Sequence, residues 1–124
     1  MESTKKILIV EDEVSLLNIL TDKLTNEGYA VIKAIDGKEG LRLALSEIPD
    51  LILLDINMPV MDGITMLKLL RKEESGKKVE VVMLTNFSDY KLLADAMEQG
   101  AHDYLVKSDW KLADVVTLVH DKLM

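Results

Sequence analysis

Short unbroken runs of apolar residues recur along the chain, and two of them end in acid. Ile7-Leu8-Ile9-Val10 leads into Glu11-Asp12-Glu13, and Leu51-Ile52-Leu53-Leu54 leads into Asp55. Such a run, with β-branched or leucine character, reads as a strand buried on both faces. A carboxylate where the strand stops lies on the rim of a sheet, where open α/β folds place their chemistry. If these two strands are neighbours, several carboxylates converge at one point. That arrangement is unstable without a cation, so it predicts a site.

Amphipathic stretches separate the apolar runs. Strands are predicted at about 6–10, 30–35, 50–54, 79–84 and 102–106, and helices at about 14–26, 37–47, 64–74, 88–99 and 110–122. The first helix carries Val14, Leu17, Leu20 and Leu24 at helical spacing and stops at Gly28. The second follows the turn signal Asp36-Gly37 and buries Leu41, Ala44 and Leu45. The fourth carries Leu92, Leu93, Ala96 and Met97 before Gly100, and the fifth carries Leu112, Val115, Val116 and Val119. Five βα units imply right-handed crossovers and a parallel sheet covered by helices on both faces. Asp62 is expected to cap the third helix. Pro59 fixes the chain direction after Asp55, and Gly63 is expected to supply a positive φ. Glu13, Arg71 and the lysines other than Lys107 read as solvated, and His102 and His120 as exposed rather than catalytic.

Composition excludes several classes. A chain of 124 residues suits one domain over residues 1–124. The net charge of −7 argues against a general nucleic-acid or anionic-membrane binder, which needs a basic face. Without cysteine there is no disulfide, thiolate metal site or cysteine nucleophile. The start of the chain has too short an apolar stretch for a signal peptide. No run approaches the roughly 18 apolar residues of a membrane span. A cytoplasmic protein is the expectation.

The polar residues at the carboxyl ends of the strands form one set. Strand one ends in Glu11 and Asp12, and strand three in Asp55 with Asn57 two residues on. Strand four ends in Thr85 and strand five in Lys107. In a parallel sheet all of these lie on one edge. The segments Ile9 to Glu13, Ala34 to Leu41, Asp50 to Gly63, Leu84-Thr85 and Gly100 to Lys107 together resemble the receiver domain of two-component response regulators. The resemblance covers essentially the whole chain. It implies a flavodoxin-like (βα)5 three-layer sandwich with a five-stranded parallel sheet in the order 2-1-3-4-5. It implies phosphorylation of Asp55 by a histidine kinase or phosphotransfer protein, with Mg²⁺ required. It also implies a threonine–tyrosine switch, in which Thr85 moves toward the phosphoryl group and Tyr104 turns inward. The face of helix four, strand five and helix five then changes, with Phe87, Tyr90 and Trp110 nearby as a partner surface. Such a domain is a switch rather than an enzyme, although it assists its own phosphorylation and dephosphorylation. Its output is contact with a downstream protein or a phosphorylation-dependent homodimer, without direct contact to nucleic acid or membrane.

The chemistry stands beside the resemblance. Two like charges about 4 Å apart repel by roughly 4 kcal/mol at an effective dielectric near 20. Mg²⁺, which favours a few carboxylates together with water and phosphate oxygen, removes that repulsion. Glu11, Asp12, Asp55 and the main-chain carbonyl of Asn57 are the expected ligands. An Asp carboxylate is then a competent nucleophile toward phosphorus, with Lys107 and the Thr85 hydroxyl on the phosphoryl oxygens. Two departures from the family pattern stand out. Ser108 follows Lys107 where proline is common, so a trans peptide is expected, with Ser108 or Asp109 capping a helix from near Trp110. Asn86 and Phe87 follow Thr85 where a small residue is usual. A haloacid-dehalogenase-type phosphatase would need its nucleophile on the first strand. A flavin carrier would need a phosphate-binding loop where Glu11-Asp12-Glu13 repels phosphate. The chain ends just after the last helix, so no output domain is expected within it.

Overall fold

The apolar runs are strands. A computed structural model, described over residues 4–86 and 89–124, contains β1 (Lys6–Val10), α1 (Val14–Asn26), β2 (Ala30–Ala34), α2 (Gly37–Glu47) and β3 (Leu51–Asp55). These are followed by α3 (Gly63–Lys72), a 3-10 turn (Glu74–Gly76), β4 (Glu80–Thr85), α4 (Tyr90–Glu98), β5 (Asp103–Val106) and α5 (Leu112–Leu123). All neighbouring strands pair in parallel, in the order β2-β1-β3-β4-β5. This is the flavodoxin-like arrangement expected from the sequence. β1, β3 and β4 are interior strands, which is why their sequences are apolar without alternation.

Side chains leave each strand alternately to the two faces. Ile7 and Ile9, Leu51 and Leu53, and Val82 and Leu84 meet Leu17, Leu20 and Leu24 of α1 and Val115 and Val119 of α5. Leu8 and Val10, Ile52 and Leu54, and Val81 and Met83 meet α2, α3 and α4 through Ala44, Met66, Leu67, Leu70, Leu93 and Ala96. Each fully buried Leu or Ile contributes about 1.5–3 kcal/mol relative to exposure, so both layers are strongly held to the sheet.

Several expectations are corrected. Val14 is exposed, because it is the first residue of α1, ahead of the turn whose Leu17 meets the sheet. Leu92 and Met97 are also exposed, since α4 buries a narrow face through Leu93 and Ala96. Arg71 is not a solvated residue. Its guanidinium donates to the carbonyls of Gln99 (2.6 Å), Gly76 (2.9 Å) and Val79 (2.9 Å), tying α3 to the turns before β4 and after α4. His102 is exposed, whereas His120 is half-buried with Nδ1 2.7 Å from the Tyr29 hydroxyl.

The turns differ in detail too. Asp62 caps α3 as expected, accepting from the Thr65 amide at 2.8 Å. The positive φ of the preceding turn belongs to Val60 (φ 70°), not to Gly63. Gly63 is needed for another reason: a Cβ there would collide with the main-chain oxygen of Asp55. Among the described residues no peptide bond is cis, so Lys107–Ser108 is trans. Ser108 and Asp109 do not cap α5. The Asp109 amide closes a turn onto the Val106 carbonyl (3.0 Å), and α5 begins three residues later. There Asp114 reaches back to accept from the Lys111 amide at 3.1 Å.

Candidate functional site

The strand register assembles the site. Val10 lies beside Leu54, Asp55 beside Leu84, and Thr85 beside Val106. One step past these pairs, Glu11 and Lys107 join Asp55 and Thr85 on the carboxyl edge of the sheet. Glu11 is fully buried, Asp55 is 2% exposed and Thr85 is buried, while Asp12 faces solvent. Glu11, Asp12 and Asp55 each offer an oxygen within 4.8 Å of the others. Lys107 Nζ enters the group from β5, 2.9 Å from Glu11 Oε1 and 3.0 Å from Asp55 Oδ2. Glu11 Oε1 also accepts from the Glu13 amide at 3.2 Å. Of the buried oxygens, Glu11 Oε2 has no hydrogen-bond partner. Asp55 Oδ2 has the nearby ammonium but no donor in good hydrogen-bonding geometry.

Burial and the charge of Glu11 push the Asp55 carboxyl up to about 7, with Lys107 pulling the other way. Burial disfavours the charge on Lys107, but hydrogen bonds to Glu11 and Asp55 outweigh it and raise the ammonium overall. Three carboxylates facing one ammonium leave an excess of two negative charges when all are ionised. Leaving charge unpaired in a buried place is costly. The residues therefore fit a hard divalent cation: the donors are oxygens, one of them is buried without a partner, and the charge excess matches one such ion.

Asn57 is exposed, and its side-chain Nδ2 donates to Asp89 Oδ1 at 2.8 Å. The Thr85 hydroxyl donates to the Asn86 carbonyl at 2.9 Å, and the Thr85 carbonyl accepts from the Lys107 amide at 2.7 Å. Tyr104 is 38% exposed on the edge strand β5, and Tyr90 is exposed at the start of α4. Trp110 is half-buried and packs on the core layer shared by α1 and α5. Phe87 lies outside the described residues. Sequence reasoning missed Asp89, which is 6% exposed although charged. In sequence it is one more polar residue ahead of a helix, and no periodicity marks it as buried.

Residues 7–120 match the family model of the response regulator receiver domain. The chain is 41% identical over 107 residues to the probable transcriptional regulator ycf27 of Guillardia theta, spanning 86% of this chain and 41% of that protein. It is 42% identical over 103 residues to the alkaline phosphatase synthesis transcriptional regulatory protein PhoP of Bacillus subtilis, spanning 83% of this chain and 42% of that protein. The chain thus spans about two fifths of the length of these curated relatives. Among solved structures, the chemotaxis response regulator CheY4 of Vibrio cholerae superposes with a TM-score of 0.89 at 30% identity, covering 98% of this chain and 100% of that one. The receiver domain of a sensor histidine kinase from Pseudomonas aeruginosa, solved with a magnesium ion coordinated in its active-site cleft, gives 0.87 at 28% identity and covers 98% of each chain.

Proposed function

The chain belongs to the receiver-domain family of two-component response regulators, and on that premise we propose that Asp55 accepts a phosphoryl group from a phosphohistidine and thereby switches a protein-contact face. The observation that carries this reading is the buried meeting of Asp55 with Glu11, Asp12 and Lys107. Glu11, Asp12, Asp55 and the main-chain carbonyl of Asn57 would hold Mg²⁺, which supplies the positive charge that offsets both the acidic excess and the incoming phosphoryl oxygens.

In the transfer itself, an oxygen of ionised Asp55 attacks phosphorus in line. The bond from phosphorus to the donor imidazole nitrogen breaks, its electron pair stays on that nitrogen, and an acyl phosphate forms on Asp55. Lys107, already 3.0 Å from Asp55 Oδ2, stays beside the new negative charge. The Thr85 hydroxyl exchanges its Asn86 carbonyl for a phosphoryl oxygen. Tyr104 then moves inward from its half-open place on β5, altering the face of α4, β5 and α5. The partners are a histidine kinase or phosphotransfer protein as donor and a downstream protein, or a second copy of the chain, as reader.

The test is intact mass after incubation with acetyl phosphate. One phosphoryl group should appear on the wild type with Mg²⁺, and none without it or on Asp55→Ala. Equal labelling of Asp55→Ala would overturn the assignment.

A further inference from the structure

Asp89 stands outside the set of groups that face the phosphoryl site, yet it is buried and both of its oxygens are engaged. Oδ1 accepts from Asn57 Nδ2 at 2.8 Å, and Oδ2 accepts from the Asn86 amide at 3.2 Å. The Asp89 amide in turn donates to the Asn86 carbonyl at 3.0 Å, closing the turn from both sides. Asp89 immediately precedes α4, where an aspartate ordinarily caps the helix, but its side chain makes no cap bond to α4. The carboxylate is committed instead to two loops. One follows Asp55 and the other follows Thr85.

We infer that Asp89 is a positioning residue for Mg²⁺ binding, acting through the side chain of Asn57. The inference rests on the reading of the acidic cluster given above. Ile56 is already fixed by its own main chain: its amide donates to the Leu84 carbonyl at 3.2 Å and its carbonyl accepts from Gly63 at 2.8 Å. Asn57 is exposed, and the hold on it comes from Asp89. A carboxylate accepts and the amide nitrogen donates, so the pair has one sense and fixes which way the Asn57 side chain points. Anchoring that side chain pre-orders the stretch of chain just after Asp55, where the Asn57 carbonyl is the proposed ligand. Partners that orient ligands in this way typically matter tenfold or more in metal affinity.

The experiment titrates Mg²⁺ alone into the unphosphorylated protein by calorimetry, for the wild type, Asp89→Ala, Asn57→Ala, the double variant and Asp89→Asn. Asn57 is exposed, so its truncation tests the link without opening a buried site. Each alanine variant should bind Mg²⁺ roughly tenfold more weakly, and the double variant no more weakly than either single one. Asp89→Asn keeps an oxygen for Asn57 and should recover most of the affinity. Acetyl phosphate labelling of Asp55 is run on the same samples, and the rate lost in the variants should return at saturating Mg²⁺. Unchanged Mg²⁺ affinity in both alanine variants, or fully additive losses, overturns the role of Asp89 while leaving the phosphoacceptor reading intact. A wild type that neither binds Mg²⁺ nor labels on Asp55 overturns both.

Discussion

As the proposed phosphoacceptor, Asp55 carries two opposed requirements: it would have to be ionised to attack phosphorus, yet its surroundings favour the protonated form. The unfolded chain ionises it near the ordinary 3.8, and the folded one near 7. Between those values the native state holds a proton that the unfolded state has lost. The stability contributed by Asp55 is therefore full below about pH 4 and is lost as pH rises through 7. Asp55→Asn should remove this slope and leave the protein more stable than the wild type at pH 8. Urea unfolding in chelator at pH 5 and pH 8 measures the difference between the two proteins, and a difference that does not change with pH would refute it. A cation bound to the ionised cluster works in the opposite direction. Millimolar Mg²⁺ should raise the wild-type melting temperature at pH 8, and Asp12→Ala should lose most of that rise. Glu11, Asp12, Asp55 and Lys107 were legible in the sequence because each lies where a strand stops, and parallel pairing brings such places together. Asp89 was not, because its burial depends on how two loops fold back, which no residue pattern encodes.

Turns store conformational cost that the strands and helices do not. The Met61 amide donates to the Pro59 carbonyl at 2.7 Å, so Val60 is the middle of a three-residue turn, with φ at 70° and 75% of its surface exposed. A β-branched residue is poorly suited to that region. Val60→Gly should therefore raise stability, by about 1 kcal/mol, read as a higher urea midpoint with unchanged slope. A lower midpoint would show that the Val60 side chain contributes more than its backbone costs. Gly37 is the reverse case. Its amide donates to the Met61 carbonyl at 3.0 Å, and a Cβ would collide with that same oxygen. The start of α5 makes a similar point about legibility. Strand and helix bodies could be read from apolar spacing, and the first two helices fall where that spacing puts them. The start of α5 departs from the expected one because its acid lies inside the helix and reaches back, whereas Ser108 and Asp109 belong to the preceding turn. Asp114→Ala should accordingly cost about 1 kcal/mol, and Ser108→Ala much less, by the same urea measurement.

Across the whole molecule, the sheet separates a layer of α1 and α5 from a layer of α2, α3 and α4, and β5 closes one edge between them. Helices on both faces of a parallel sheet follow from five βα units with apolar interior strands, whereas the strand order is what the resemblance to receiver domains implies and the structure bears out. The identity of the proposed responding face does not follow from the sequence in the same way. It depends on which groups near Asp55 also connect to the edge. Thr85 ends β4, pairs with Val106 of β5, and takes the Lys107 amide on its carbonyl at 2.7 Å. Lys107 continues β5 and reaches Asp55 through its ammonium. Both connections from Asp55 therefore lead to β5, whose Tyr104 is half-open to solvent. A bound group shifts a two-state element only by its differential affinity for the two states. On the proposed function, contacts from Thr85 and Lys107 to the phosphoryl oxygens would supply that difference. Phosphorylation should thus perturb the amide resonances of Tyr90, Tyr104 and Trp110 as well as those of the loops around Asp55. Thr85→Ala should still accept the phosphoryl group, since Asp55 and Lys107 remain, but it should lose the perturbation at Tyr90 and Tyr104. If phosphorylated wild type shows shifts confined to the loops around Asp55, the threonine does not couple the site to this edge. If Thr85→Ala transmits as well as the wild type, Lys107 carries the coupling alone.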